Sequence, residues 1–73
     1  MKARIVPVIN WLGVRYIAQV KHGFFSRWKD DGVVQFGYGG SFLEVEYFIS
    51  AHHAIKWLNN KYGSNLNIVE YRP

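Results

Sequence analysis

The chain contains no cysteine, so neither a disulfide framework nor a cysteine zinc site can stiffen it, and packing has to supply its stability. Proline is scarce, and Pro7 falls inside a segment that reads as a strand. It would confine that strand to an edge, because its ring removes a ladder donor. Long apolar runs are missing too: nothing approaches the ~18 to 20 residues of a membrane span. The opening Met1-Lys2-Ala3-Arg4-Ile5-Val6-Pro7 is too short in its apolar stretch for a signal peptide. These absences lead to the expectation of a cytoplasmic protein with no membrane partner. Carboxylates are few. Five Asp and Glu stand against nine Lys and Arg, for a formal charge of +4 and a pI near 9.6. That balance favours acidic partners, whether nucleic acid or an acidic protein surface, and it also serves plain solubility.

Catalytic and metal-binding constellations are equally sparse. His52 and His53 are adjacent, so on a helix their side chains leave the axis about 100° apart and cannot close on one metal. His22 stands alone in sequence, and no histidines are spaced i, i+4. Glu44 and Glu46 would share one strand face about 6 to 7 Å apart, with no third group visible to tune them. Ser26, Ser41, Ser50 and Ser64 all fit turns or caps. Phe36-Gly37-Tyr38-Gly39-Gly40 lacks the GxxxxGK spacing of a phosphate-cradling loop and reads as a hairpin turn. The expectation is a binding protein with no catalytic residue, cofactor or metal.

What the sequence does have, in its 73 residues, is room for one core and an aromatic content of 18%. Each aromatic can bury on the order of 150 to 250 Å², enough for one compact domain spanning residues 1 to 73. Val14 to Lys21 alternates, with Val14, Tyr16, Ala18 and Val20 opposite Arg15, Gln19 and Lys21, and Ile17 as the exception. Asp30-Asp31-Gly32 reads as a turn. Val33 to Tyr38 and Phe42 to Ile49 read as strands joined through Gly39-Gly40. Ser50 is placed to cap a helix over Ala51 to Tyr62, with Ala51, Ala54, Ile55, Leu58 and Tyr62 at helical spacing and Gly63 at its stop. Leu66 to Tyr71 reads as a last strand, and Arg4 to Ile9 as an edge strand. The expected fold is α+β, a small antiparallel meander plus a returning C-terminal strand, packed against one helix.

Two clusters stand out as candidate partner contacts. Phe24, Phe25, Arg27, Trp28 and Lys29 mix the residue types enriched at binding hot spots and abut the acidic Asp30. Their spacing follows no regular period, although at least one of the aromatics is expected to cap the core. On the helix, Trp57 lies beside the apolar stripe, next to Lys56 and one turn from His53, where half-buried packing and an exposed contact fit equally well. Trp11 fits either role. The run Phe42-Leu43-Glu44-Val45-Glu46-Tyr47-Phe48, followed by Ala51 and Ala54-Ile55-Lys56, is similar to the second half of an RNA-recognition motif, which stacks bases on sheet aromatics. Here, however, Glu44 and Glu46 stand among those aromatics and no first helix precedes them.

The whole outline, from Lys2-Ala3-Arg4-Ile5-Val6 through Ser50-Ala51-His52-His53-Ala54-Ile55-Lys56-Trp57-Leu58 to Val69-Glu70-Tyr71-Arg72-Pro73, resembles the family of small proteins with which lytic bacteriophages, Xanthomonas phages among them, seize the host transcription machinery. The resemblance covers the full chain and rests on length, element order and general character. It implies a monomer in the infected cell's cytoplasm that binds bacterial RNA polymerase near the σ factor and the RNA exit region. Such a protein displaces σ before initiation and weakens terminators during elongation, with nascent RNA or DNA as a further contact. For a chain of this mass a surface of about 4,600 Å² is expected, of which a standard interface would take about 800 Å². The alternatives are a free nucleic-acid-binding module and an inhibitor of another bacterial enzyme or defence system.

Overall fold

The computed structural model describes residues 1–64 and 66–72; Pro73, half of the closing Arg-Pro pair, lies outside the described residues. Among the described residues, six strands and one helix follow in the order β1 (Lys2–Asn10), β2 (Gly13–Lys21), β3 (Lys29–Asp30), β4 (Gly32–Gly37), β5 (Gly40–Val45), α1 (Ala51–Tyr62) and β6 (Asn67–Val69). This is the α+β arrangement of one helix on a mostly antiparallel sheet. The strands divide into two sheets, a four-stranded one ordered β3-β2-β1-β6 and a separate β4-β5 pair.

In the larger sheet β1 and β2 pair antiparallel over their full length, with Ala3 opposite Val20 and Ile5 opposite Ala18. β6 returns after the helix to pair parallel with the start of β1. Ala3, Ala18, Val20 and Leu58 form the buried core, with Ile5, Trp57, Tyr62, Leu66 and Ile68 packed against it. The two sheet alanines, with Ala54 on the helix, keep the contacting surfaces flat, so α1 approaches closely and Leu58 becomes completely buried.

Helix α1 starts and stops where its caps dictate. Ser50 is extended and its Oγ accepts from the His53 N–H at 3.3 Å, while Gly63, at φ +89°, donates its N–H to the Asn59 carbonyl at 2.8 Å. The left-handed conformation at that stop suits glycine, which has no Cβ to strain it.

β1 as a whole lies between β2 and β6, yet at Pro7 itself only β2 is paired, since β6 reaches no further than Arg4, so the proline holds the edge position expected of it. Tyr16 exchanges both backbone hydrogen bonds with Phe48, each 2.8 Å, so its pairing opposite Pro7 is a non-hydrogen-bonded one and needs no proline N–H. Among the described residues no partner strand runs along the other side of β1 beyond Arg4, and the proline guards that open edge.

The Asp30-Asp31-Gly32 segment differs from the simple turn the sequence suggests. Asp30 pairs with Gln19 as part of β3, and Asp31 is buried. The strand expected from Phe42 to Ile49 stops at Val45, and Phe48 joins β2 through an isolated bridge.

Candidate functional site

Three features are positioned to meet other molecules: an arm, the root that holds it, and the sheet face that lacks a helix. The arm is the β4-β5 hairpin. It is closed by a two-residue loop, Tyr38-Gly39, ahead of Gly40 at φ +112°. Residues opposite one another share a face, so Val34, Phe36, Leu43 and Ser41 lie on one side and Val33, Gln35, Phe42 and Glu44 on the other. Both sides carry exposed apolar groups: Phe36 is 85% exposed, Tyr38 is fully exposed, and Val33, Val34, Phe42 and Leu43 are each at least 40% exposed. The arm packs on itself and makes almost no contact with any other element.

The root of the arm is fixed by Asp31. Its Oδ1 accepts from the Gly32 N–H at 2.9 Å and from Lys61 Nζ at 2.8 Å, and its Oδ2 accepts from the Tyr62 hydroxyl at 2.6 Å. Lys61 also donates to the Gly32 carbonyl at 2.8 Å and sits 4.8 Å from the centre of the Trp57 ring. Burial pushes the Asp31 carboxyl up, but the hydrogen bonds from Lys61, Tyr62 and the Gly32 amide, with the ammonium charge, outweigh it and hold the group below its ordinary value. Burial likewise pulls Lys61 down, yet the Asp31 carboxylate and the Tyr62 hydroxyl hold its ammonium above the usual lysine value. Beside this root, Gly32, Val33, Val34, Trp57, Asn60 and Lys61 line an open groove of about 400 Å³.

The helix-free sheet face follows from the register. Because Ala3, Ala18 and Val20 point to the helix, their alternates Lys2, Arg4, Val6 and Val8 on β1, and Lys21, Gln19, Ile17 and Arg15 opposite them, point away. Val6 and Ile17 are buried on this side, which accounts for Ile17 breaking the alternation. Arg4 is the organising residue. Its guanidinium carbon lies 4.3 Å from the Trp28 ring centre and 5.2 Å from that of Tyr71, within the range of cation–π attraction. Its Nε donates to Gln19 Oε1 at 2.8 Å, and Gln19 Nε2 donates on to Asp30 Oδ1 at 2.8 Å. Among the described residues only Lys61 and Arg72 meet a carboxylate within ion-pair distance, so the cations of this face have no direct ion pair, and Asp30 is the carboxylate that shares the face, reached from Arg4 through Gln19.

The sequence candidates separate between these features. Trp28 is half-buried beneath Arg4, and Asp30 ends the Arg4-Gln19-Asp30 chain. Phe25 is 95% exposed and stands edge-on to Phe24 with ring centres 5.1 Å apart, while Arg27 and Lys29 are exposed. Lys29 lies opposite Val20, on the helix side of the sheet edge. His53 is exposed at the helix start, its Nδ1 3.0 Å from Ser50 Oγ, and Lys56 is exposed one turn on. Trp57 is half-buried, with its ring 5.5 Å from that of Phe48. The structure therefore gathers Trp28 and Asp30 at Arg4 and leaves His53, Lys56 and Trp57 on the helix. Sequence reading passed over Arg4, Gln19 and Tyr71, whose partners are far off in the chain. It also passed over the arm's exposure, for which no local signal was available. Trp11 is 90% exposed at the tip of the β1-β2 hairpin.

In class, this is a one-helix α+β domain with a helix-bearing sheet face, a basic and aromatic open face, and a projecting apolar arm. No family model, curated protein or solved structure matches the chain. Among the described residues no helix is long and apolar enough to cross a membrane.

Proposed function

We propose that this chain is a small regulator that binds bacterial RNA polymerase, inhibits initiation by displacing the σ factor and promotes antitermination. The observation that carries the binding half of this reading is the arm. A lone two-stranded hairpin is marginal in water, and this one exposes apolar side chains on both faces. The rings of Phe36 and Tyr38 alone present roughly 300 Å² or more, which already matches the largest apolar patch of an ordinary monomer. A protein surface that takes up the arm removes that area from water, and either free strand edge can add to a partner's sheet.

The polymerase as the partner rests on the resemblance in length, element order and character to the small phage regulators of transcription, and the formal charge of +4 suits an acidic docking surface. The protein uses no cofactor in this role and works by occupying a surface. Transcription with purified polymerase from a susceptible host tests it. Adding the protein lowers promoter-dependent initiation and raises read-through at an intrinsic terminator, and the two effects share one concentration dependence. A polymerase that ignores micromolar protein in both assays contradicts the proposal.

A further inference from the structure

We propose that the end of the helix-free sheet face where Lys2 and Lys21 meet is a binding site for single-stranded nucleic acid, separate from the arm. Lys2 and Lys21 are directly opposite in the β1-β2 ladder and share the open face. Like charges placed this way destabilise a sheet, and among the described residues neither has a carboxylate within ion-pair distance. An anion lying between them removes that repulsion. The site also has shape. Met1, Lys2, Lys21, His22, Gly23 and Phe24 line a cleft of about 280 Å³, near the lower end of small-ligand pockets.

One wall of the cleft is Phe24, 87% exposed and held edge-on by Phe25. The turn that presents both rings is closed by the Ser26 N–H donating to the Gly23 carbonyl at 3.1 Å. A cationic pair with an open aromatic face beside it is the combination that holds a phosphate and stacks the adjoining base, and it discriminates little between sequences because every base has a π-face.

The face continues in the same sense. Arg4, Arg15 and the ring of Tyr71 follow Lys2 and Lys21 along the strands. The Val6–Ile17 row beyond Arg4 is buried, so the open cationic stretch is the one from Lys2 to Arg4, roughly 7 Å at about 3.3 Å per residue, room for about one or two nucleotides beside Phe24. Duplex DNA keeps its bases stacked inside and cannot offer one to Phe24, so the single strand is the favoured ligand.

Fluorescence anisotropy with a labelled oligouridine of about twelve nucleotides tests this on the full chain. The wild type binds with an affinity that falls steeply with salt, by about 0.7 logarithmic units per phosphate contact. Lys2→Gln with Lys21→Gln weakens binding at least tenfold and flattens the salt slope, while the unfolding temperature stays the same or rises because a like-charge pair has gone. Phe24→Ser weakens binding with the slope unchanged. The site is overturned by any of three results: no binding at low salt, equal affinity for a duplex of the same length, or a double lysine variant that binds as the wild type does. Because the probe is free nucleic acid, these outcomes are independent of whether the chain binds polymerase.

Discussion

Asp31 has only 8% of its side chain exposed, and an ionised carboxylate is tolerated there because a lysine, a tyrosine and a backbone amide all donate to it. Its folded pKa lies below the ordinary 3.8, so the stability it contributes is present above about pH 4 and is lost as pH falls through the folded value. Lys61 lies above its ordinary 10.5 and Tyr62 above 10.0, so their share is complete below about pH 10 and is lost as pH rises through their folded values. Asp31→Asn should cost about 2 kcal/mol at neutral pH, with the Lys61 part discounted because its ammonium remains partly in water. It should also flatten the acid limb of stability. Urea midpoints measured against pH check this; parallel limbs for the two proteins would contradict it.

Gly32 is constrained for a different reason. A Cβ there would stand 1.9 Å from the Glu44 carbonyl oxygen, a backbone atom of the paired strand that cannot move aside without opening the ladder. Gly32→Ala should therefore cost roughly 1 to 3 kcal/mol and shift the amide resonances of β4 and β5 while those of the first turn of α1 stay put. Unchanged arm resonances would show that the close approach is not kept. Leu58, fully buried, should cost about 2 to 5 kcal/mol on truncation to alanine, read from the denaturant midpoint. A loss under about half a kcal/mol would mean that the helix stripe is not the core.

Among the elements, α1 was the most legible, since its cap, stripe and stop are all local signals and all act within one segment. Strand β2 was legible in its alternation and β1 as an edge strand over Arg4 to Ile9, and Ile17 was correctly the odd residue, although why it is buried depends on the second face of the sheet. The detachment of β4-β5 was not legible. The β-forming residues of Val33 to Tyr38 and the alternation from Phe42 say that these residues form strands, and they say nothing about whether a second sheet, a helix or another molecule covers them. The Arg4 site was hidden for a related reason. Arg4, Gln19, Trp28, Asp30 and Tyr71 come from four separate stretches, and only the closed sheet brings them together. Asp31 looked like a turn residue because its partners, Lys61 and Tyr62, lie a helix away. At this scale the arm should behave as an appendage. Its amides should exchange with solvent faster than those of β1 and β2 in the free chain, and Phe36→Ser with Tyr38→Ser should change stability by no more than about 0.5 kcal/mol. Arm amides as protected as those of β1 and β2 would contradict that picture.

The whole molecule has more surface than its mass calls for. A compact chain of this size should expose about 4,600 Å², whereas this one exposes 5594 Å². The excess of about 1,000 Å² is of the order of the 800 Å² that one partner contributes to a standard interface. The radius of gyration, 12.8 Å, likewise exceeds the roughly 11 Å of a compact domain of equal length. The arm and the tip of the β1-β2 hairpin, with Phe36, Tyr38 and Trp11 each at least 85% exposed, fit both departures. The most direct test is the affinity of the full chain for purified bacterial RNA polymerase, measured beside the Phe36→Ser, Tyr38→Ser variant. The account predicts co-elution of the wild type at micromolar concentration or below, and a loss of about thirtyfold, on the order of 2 kcal/mol, in a variant that remains folded. A wild type that does not associate at micromolar concentration, or a folded variant that binds equally well, would contradict it.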